Sequence, residues 1–176
     1  MSDYWGNVAS GLLVFNKKNC KVLLQHRSPY VYEPNTWGMI GGAVSERKKH
    51  IDIGERFSDL GVDEEHILTS AIDEFVEETG YKGEVTSIRK YHVFKSPDGK
   101  FEYHSYLGFV DDEFEPEGNW EAQGYKWVDL EKLFQCAKKD SDCVFIGIGK
   151  LHPQFKKTLS IEETKKLLQG VCETGF

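Results

Sequence analysis

No apolar run in this chain approaches the roughly 18 residues that a helix needs to cross a bilayer. The start, MSDYWGNVASGLLVF, lacks a basic segment ahead of its short apolar run, so no export signal is expected and the run reads as a first strand. Cysteine is scarce: Cys20, Cys136, Cys143 and Cys172 are widely spaced and form no C-x-x-C pair. Without an export signal, reduced thiols in a cytoplasmic protein are the expectation. The 6 histidines never fall at H-x-x-x-H spacing, which argues against a zinc site. Positive charge is short as well, with 22 Lys and Arg against 29 Asp and Glu and a net charge of −7. That balance argues against broad nucleic-acid binding, which needs a basic footprint. It leaves a nucleotide open as a small-molecule substrate, because a bound divalent cation reverses the local field.

What remains is an ordinary globular composition, 39% hydrophobic, 13% aromatic and 29% charged. A chain of 176 residues is long enough to bury its own core, so one domain spanning 1–176 is expected. VASGLLVF and CKVLLQHR read as two strands joined by the polar turn NKKN. A loop broken by Pro29 and Pro34 follows, then the short apolar segment WGMIGG. The runs EVTSIRKYHVFK, KFEYHSYLGFV and YKWVDL predict further strands, with SPDGK as the turn between the first two. The tail SIEETKKLLQGV predicts a helix in which Ser160 and Glu163 form a capping box and Ile161, Thr164, Leu168 and Val171 face the core. The order predicts an α+β fold, a sandwich of helices about a mixed β-sheet.

The clearest helix is expected over residues 63–79, with Asp63 as N-cap and Gly80 as its stop. At about 100° per residue, Leu68, Ile72, Phe75 and Val76 share one face, and Glu74, Glu77 and Glu78 the opposite one. Acids on a solvated helix face are commonplace. Here no lysine or arginine lies among them, and each like-charged pair at i,i+3 or i,i+4 costs a few tenths of a kcal/mol. A cluster kept against that cost suits a hard cation, since carboxylate oxygens are the ligands that Mg²⁺ and Mn²⁺ prefer.

The stretch EFVEETGY with the upstream GG resembles the signature of the Nudix hydrolase superfamily, G-x5-E-x7-R-E-U-x-E-E-x-G-U with U apolar. Glu74, Phe75, Glu77, Glu78, Gly80 and Tyr81 stand at matching positions, and Gly42 at the initial glycine. TWGMIGG, LLQHRS and GYKWVDLEKL resemble flanking segments, so the likeness runs over about residues 8 to 135. Two departures stand out. Gly42 to Asp73 is 31 positions where the pattern has 14, an insertion of about 17 that would place residues 45 to 62 in a loop beside the site. The upstream glutamate is then Glu65 or Glu55, with helical spacing favouring Glu65. The second departure is Asp73, which stands where the family has an arginine and adds repulsion where the family has attraction. Either Arg47, Lys48 or Lys49 of the inserted loop supplies the cation, or the catalytic machinery has drifted.

The resemblance implies an α/β/α sandwich and hydrolysis of a phosphoanhydride bond in a nucleoside diphosphate linked to another moiety. It implies that the Gly41 carbonyl, Glu74, Glu77 and Glu78 hold Mg²⁺ or Mn²⁺, and that Glu74, Glu77 and Glu121 carry catalysis, Glu74 or Glu121 as the base. Arg27 suits phosphate and Trp37 suits stacking on a base, although a surface arginine and a core tryptophan are the plainer readings. Tyr30 and Tyr32 could touch the other moiety. A homodimer is compatible with this reading, and no membrane partner is expected. Two other functions bear weighing: a nucleotide-binding sensor that has lost turnover, and an isopentenyl diphosphate isomerase. The latter needs a cysteine that this chain does not place near the signature.

Overall fold

β1 (Val8–Asn16) is buried along its whole length, because both of its faces and both of its edges are covered. The computed structural model describes residues 8–31, 33–44, 63–118, 120–138, 143 and 146–174. A polar turn leads from β1 to β2 (Lys21–Arg27), followed by β3 (Trp37–Gly38) and β4 (Ile40–Ala43). Helix α1 (Glu64–Thr79) comes next, then β5 (Thr86–Lys95), β6 (Glu102–Val110) and β7 (Ala122–Asp129). Three helices close the chain: α2 (Leu130–Ala137), α3 (Pro153–Leu159) and α4 (Glu162–Thr174). The sheet is mixed: β1 runs parallel to β6, while its other edge is shared between β2 at Phe15 and β4 over Ala9–Leu12, both antiparallel. β7 pairs with β2 and β5 with β6. This is the α+β sandwich that the order of elements predicts.

Strand alternation divides the core in two. Leu12, Val14 and Leu23 point to the α1 side with Ile67, Ala71 and Phe75. Leu13, Phe15, Val22 and Leu24 point to the other, where α2, α3 and α4 supply Leu133, Phe155, Leu159 and Leu168. α1 begins and ends as its sequence dictates. Asp63 accepts from the His66 N–H at 2.8 Å, and Gly80 turns left-handed at φ 71°.

The wheel of α1 is rotated from expectation. Its buried stripe is Ile67, Ala71, Phe75, Glu78 and Thr79, while Val76 is 40% exposed. Val76 lies about 180° round the axis from Ile67, so packing Ile67, Ala71 and Phe75 on the sheet must expel it. The same rotation carries Glu78 inside, away from the solvated face expected for all three glutamates. At α4 the capping box does not form. Ser160 ends α3 instead, its Oγ donating to the Lys156 carbonyl, and Ile161 is exposed, whereas Thr164, Leu168 and Val171 are buried as expected.

The expectation of reduced thiols is corrected for two of the four cysteines. Cys20, in the β1–β2 turn, is disulfide-bonded to Cys172 of α4, with Cα atoms 5.9 Å apart. A separation of 152 residues hides that pairing until the fold closes. Cys136 and Cys143 are free and buried. The inserted loop over 45–62, with Arg47, Lys48, Lys49 and Glu55, lies outside the described residues, as does Tyr32. No described helix is long and apolar enough to cross a membrane.

Candidate active site

β2 and β4 both pair with β1 but at different ends of it, and α1 lies over β1 and β4. Glycine makes that close approach feasible. A Cβ at Gly42 would stand 3.2 Å from the Glu74 carboxyl, so the bare backbone there seats the Glu74 side chain against the strand. A Cβ at Gly41 would lie 2.3 Å from the Ser10 carbonyl oxygen, which leaves no room for any side chain between β4 and β1.

Glu74, Glu78 and Glu121 bring carboxylate oxygens within 4.8 Å of one another. Each arrives by a different route. Glu74 is half-buried beside β4, and Glu78 is 2% exposed, its Oε1 accepting from Gln25 Nε2 of β2 at 2.8 Å. The Tyr125 hydroxyl of β7 donates to the Glu78 backbone carbonyl at 3.0 Å and fixes the helix at that turn. Glu121 comes from the loop that crosses the end of α1, where the Glu117 N–H donates to the Thr79 carbonyl, and it is held beside β2 by the Ser28 N–H donating to its own carbonyl at 3.0 Å.

Negative charges this close oppose the ionisation of Glu74 and Glu78. Burial first, and then Glu121, push the Glu78 carboxyl up to about 8, against the bond from Gln25. Burial and the charges of Glu77, Glu121 and Asp73 push Glu74 up to about 7. Among the described residues, Glu78 Oε2 is buried without a hydrogen-bond donor. A bond between it and Glu121 requires a proton on one of the two, so the cluster needs either protons or a cation. All-oxygen donors of high negative charge fit a hard divalent ion, with the orphaned Oε2 as a ready ligand atom. Glu77 and Asp73 are exposed and stand outside the trio, although both charges are felt at Glu74. Glu65 is exposed in the first turn of α1.

On the opposite face of the sheet from α1, a cavity of about 260 Å³ opens between β1, β6 and the start of α3. Gly41 and Gly42 lie in its wall, and so does Arg27, which connects it to the acids. Burial lowers the Arg27 pKa, while the negative charges of Glu78, Glu121 and Glu33 oppose that shift. The guanidinium therefore stands between the cavity and the carboxylates. Trp37 does not line the cavity. It is buried, stacks on His26 with ring centroids 4.5 Å apart, and belongs to the core.

The structure thus unites Glu74, Glu78 and Glu121, sets Gly42 against Glu74 with Gly41 next to it in the strand, brings Arg27 near Glu78 and Glu121, and leaves Glu77 exposed and Trp37 in the core. Sequence reasoning passed over Gln25 and Tyr125, and it takes the segment LHP, with His152, as structural. A signal for Gln25 exists: alternation in KVLLQHR puts it on the same buried face as Leu23, where an amide needs a polar partner.

The NUDIX domain family profile matches residues 6–144. The chain belongs to this family. A comparison with curated proteins gives no match. Among solved structures, a Nudix hydrolase from M. smegmatis, RenU, is similar with a TM-score of 0.65 and 18% identity, over 98% of this chain and 91% of that one. A C. elegans Ap4A hydrolase gives 0.56 and 20%, over 92% and 98%. The NUDIX domain of Shewanella oneidensis NrtR, solved with ADP ribose, gives 0.57 and 15%, over 94% and 90%. At these identities the likeness is one of fold, the fold of Nudix pyrophosphohydrolases.

Proposed function

We propose that this Nudix pyrophosphohydrolase is a divalent-metal-dependent enzyme that cuts a phosphoanhydride bond in a nucleoside diphosphate linked to a second moiety. One observation carries the reading: Glu74, Glu78 and Glu121 bring carboxylate oxygens within 4.8 Å of one another, and among the described residues Glu78 Oε2 is buried without a donor. These three, with the Gly41 carbonyl, would hold Mg²⁺ or Mn²⁺, and Glu77 would serve as an outer, exposed ligand. When bound, the ion neutralises phosphate charge and lowers the cost of in-line attack.

The chain's own groups do the rest. Arg27 binds a phosphate oxygen at the junction of cavity and cluster, a task for which its planar fork is suited. Gln25 and Tyr125 hold Glu78 in place, so its carboxylate needs no reorganisation during reaction. Glu74 and Glu121 are less buried than Glu78, and one of them takes the proton of the attacking water. Relatives named as an Ap4A hydrolase and as a domain complexed with ADP ribose support a nucleotide as the small-molecule substrate. The protein is proposed to act as a single domain.

A panel of nucleotide substrates assayed with Mg²⁺ and with Mn²⁺ tests this. Turnover should vanish with EDTA and fall by more than about a hundredfold in Glu78→Gln. Turnover of a panel member that survives EDTA would overturn the metal-dependent reading. Hydrolysis of no member, alongside measurable nucleotide binding, would favour a sensor.

A further inference from the structure

His152 lines the cavity that Arg27 joins to the carboxylates, and its ring is held in one tautomer. Its Nδ1 accepts the Gln154 backbone N–H at 3.1 Å, because His152 caps α3 with an extended backbone, φ −55° and ψ 130°, ahead of Pro153. A ring nitrogen that accepts a hydrogen bond carries no proton, so the neutral ring bears its proton on Nε2. Burial first, and the Arg27 charge next, push the imidazole pKa down to about 4, which keeps the ring neutral at working pH. Among the described residues, Nε2 has no hydrogen-bond partner. The backbone on both sides is fixed: the His152 N–H donates to the Trp37 carbonyl at 2.8 Å, and the His152 carbonyl accepts from Lys156 at 2.9 Å. The ring therefore offers one neutral donor, held on a fixed backbone.

Aromatic and apolar side chains make up much of the surrounding wall, with Glu33, Ser105, Gln154 and Thr158 also lining it. Phe94 and Phe101, with centroids 6.4 Å apart, line the cavity with Met39 and Tyr103. Its volume of about 260 Å³ lies just below the usual range for pockets that take a whole drug-sized ligand, so it suits one ring system and not a complete dinucleotide. Arg27 meets charge on the ligand, whereas His152, near enough to feel the Arg27 charge, presents a neutral N–H. That division assigns the phosphate to Arg27 and an uncharged, flat, acceptor-bearing ring to the interior.

We propose that the cavity seats the heteroaromatic base of the nucleotide substrate and that the His152 Nε2–H reads an acceptor atom on that base, making His152 a specificity-determining residue. The proposal rests on the pyrophosphohydrolase reading but is separable from it by direct binding.

The variant that decides the matter is His152→Asn. Its Oδ1 can replace Nδ1 as acceptor of the Gln154 N–H, so the cap is kept, and it places no donor where Nε2 stands. Nucleoside monophosphates with each common base, ribose 5-phosphate and inorganic phosphate should be titrated calorimetrically into wild type and His152→Asn, with melting temperatures recorded. The expected result is a melting temperature within a few degrees of wild type and a loss of about tenfold in affinity for the preferred nucleoside monophosphate. Ribose 5-phosphate and inorganic phosphate should bind both proteins equally. Equal nucleoside monophosphate affinity in the two proteins would overturn the proposal, as would equal losses for the base-free ligands or no nucleoside monophosphate binding by wild type. His152→Gln, which returns an N–H near Nε2, should recover part of the affinity, and a failure to do so counts against the contact. In steady state, where wild-type turnover exists, KM should rise with kcat nearly unchanged. Absence of wild-type turnover with the binding pattern intact would sink the pyrophosphohydrolase reading and leave this one standing.

Discussion

At the scale of single residues, the site is governed by the cost of crowding carboxylates. Glu78 is held up to about 8 and Glu74 to about 7, against an ordinary value of 4.5, so the metal-free folded chain keeps protons that the unfolded chain has released. For groups raised in this way, the stability they contribute is full below the unfolded value and is lost as pH rises through the folded one. The metal-free protein should therefore lose melting temperature between about pH 4.5 and about pH 8, and added Mg²⁺ or Mn²⁺ should stabilise it most at the upper end, where protons no longer compete. Calorimetry across that range, with EDTA and with metal, checks both slopes. Glu78→Gln should flatten the EDTA slope, because the amide keeps an acceptor for Gln25 and carries no buried charge, and it should weaken metal affinity by more than about tenfold. An unchanged slope in that variant would show that Glu78 is not the group being titrated.

Elements decide which of these residues meet. Two adjacent glycines of β4 have different tasks, and substitution should separate them. Gly42→Ala meets only the Glu74 carboxyl, at 3.2 Å, so the carboxylate shifts by a few tenths of an ångström and the fold survives. Activity should fall by about tenfold with little change in unfolding midpoint. Gly41→Ala drives a methyl to 2.3 Å from the Ser10 backbone oxygen, and strands cannot yield there without breaking their pairing. It should destabilise by at least about 1–3 kcal/mol, read from urea unfolding. Equal effects of the two changes on stability would contradict this division.

The elements were also the most legible part of the chain. Period-2 alternation and the turns marked β1, β2, β5, β6 and β7, and α1 starts and stops at Asp63 and Gly80 as its caps require. Legibility failed where a residue's role depended on a neighbour distant in sequence. Ser160 reads as a cap in isolation but ends the preceding helix, and Val76 reads as core but faces outward because Ile67 and Ala71 claim the sheet. Short α2 and α3 gave too few turns for a periodic signal.

Across the whole molecule, the Cys20–Cys172 disulfide ties the β1–β2 turn to the terminal helix and closes a loop of 152 residues. Such a closure removes much unfolded-state freedom, so Cys172→Ser, or reduction of the native bond, should lower unfolding stability by about 3–5 kcal/mol. Urea unfolding with and without reductant measures this, and Cys172→Ser should be insensitive to reductant. No difference between the oxidised and reduced wild type would mean that the bond does not contribute.

The sequence by itself determined the α+β alternation, the helix caps and the chemistry of the acids, because these depend on residues within a few positions of one another. It marked Glu74, Glu78 and Glu121 separately. Only the tertiary structure decided that they converge, that Glu78 is the buried one, that Glu77 stands aside, and that Arg27 and His152 share a cavity. Those outcomes depend on how β1 divides its edge between β2 and β4 and on how α1 rotates to bury Phe75, and packing between distant segments leaves no local trace in the chain.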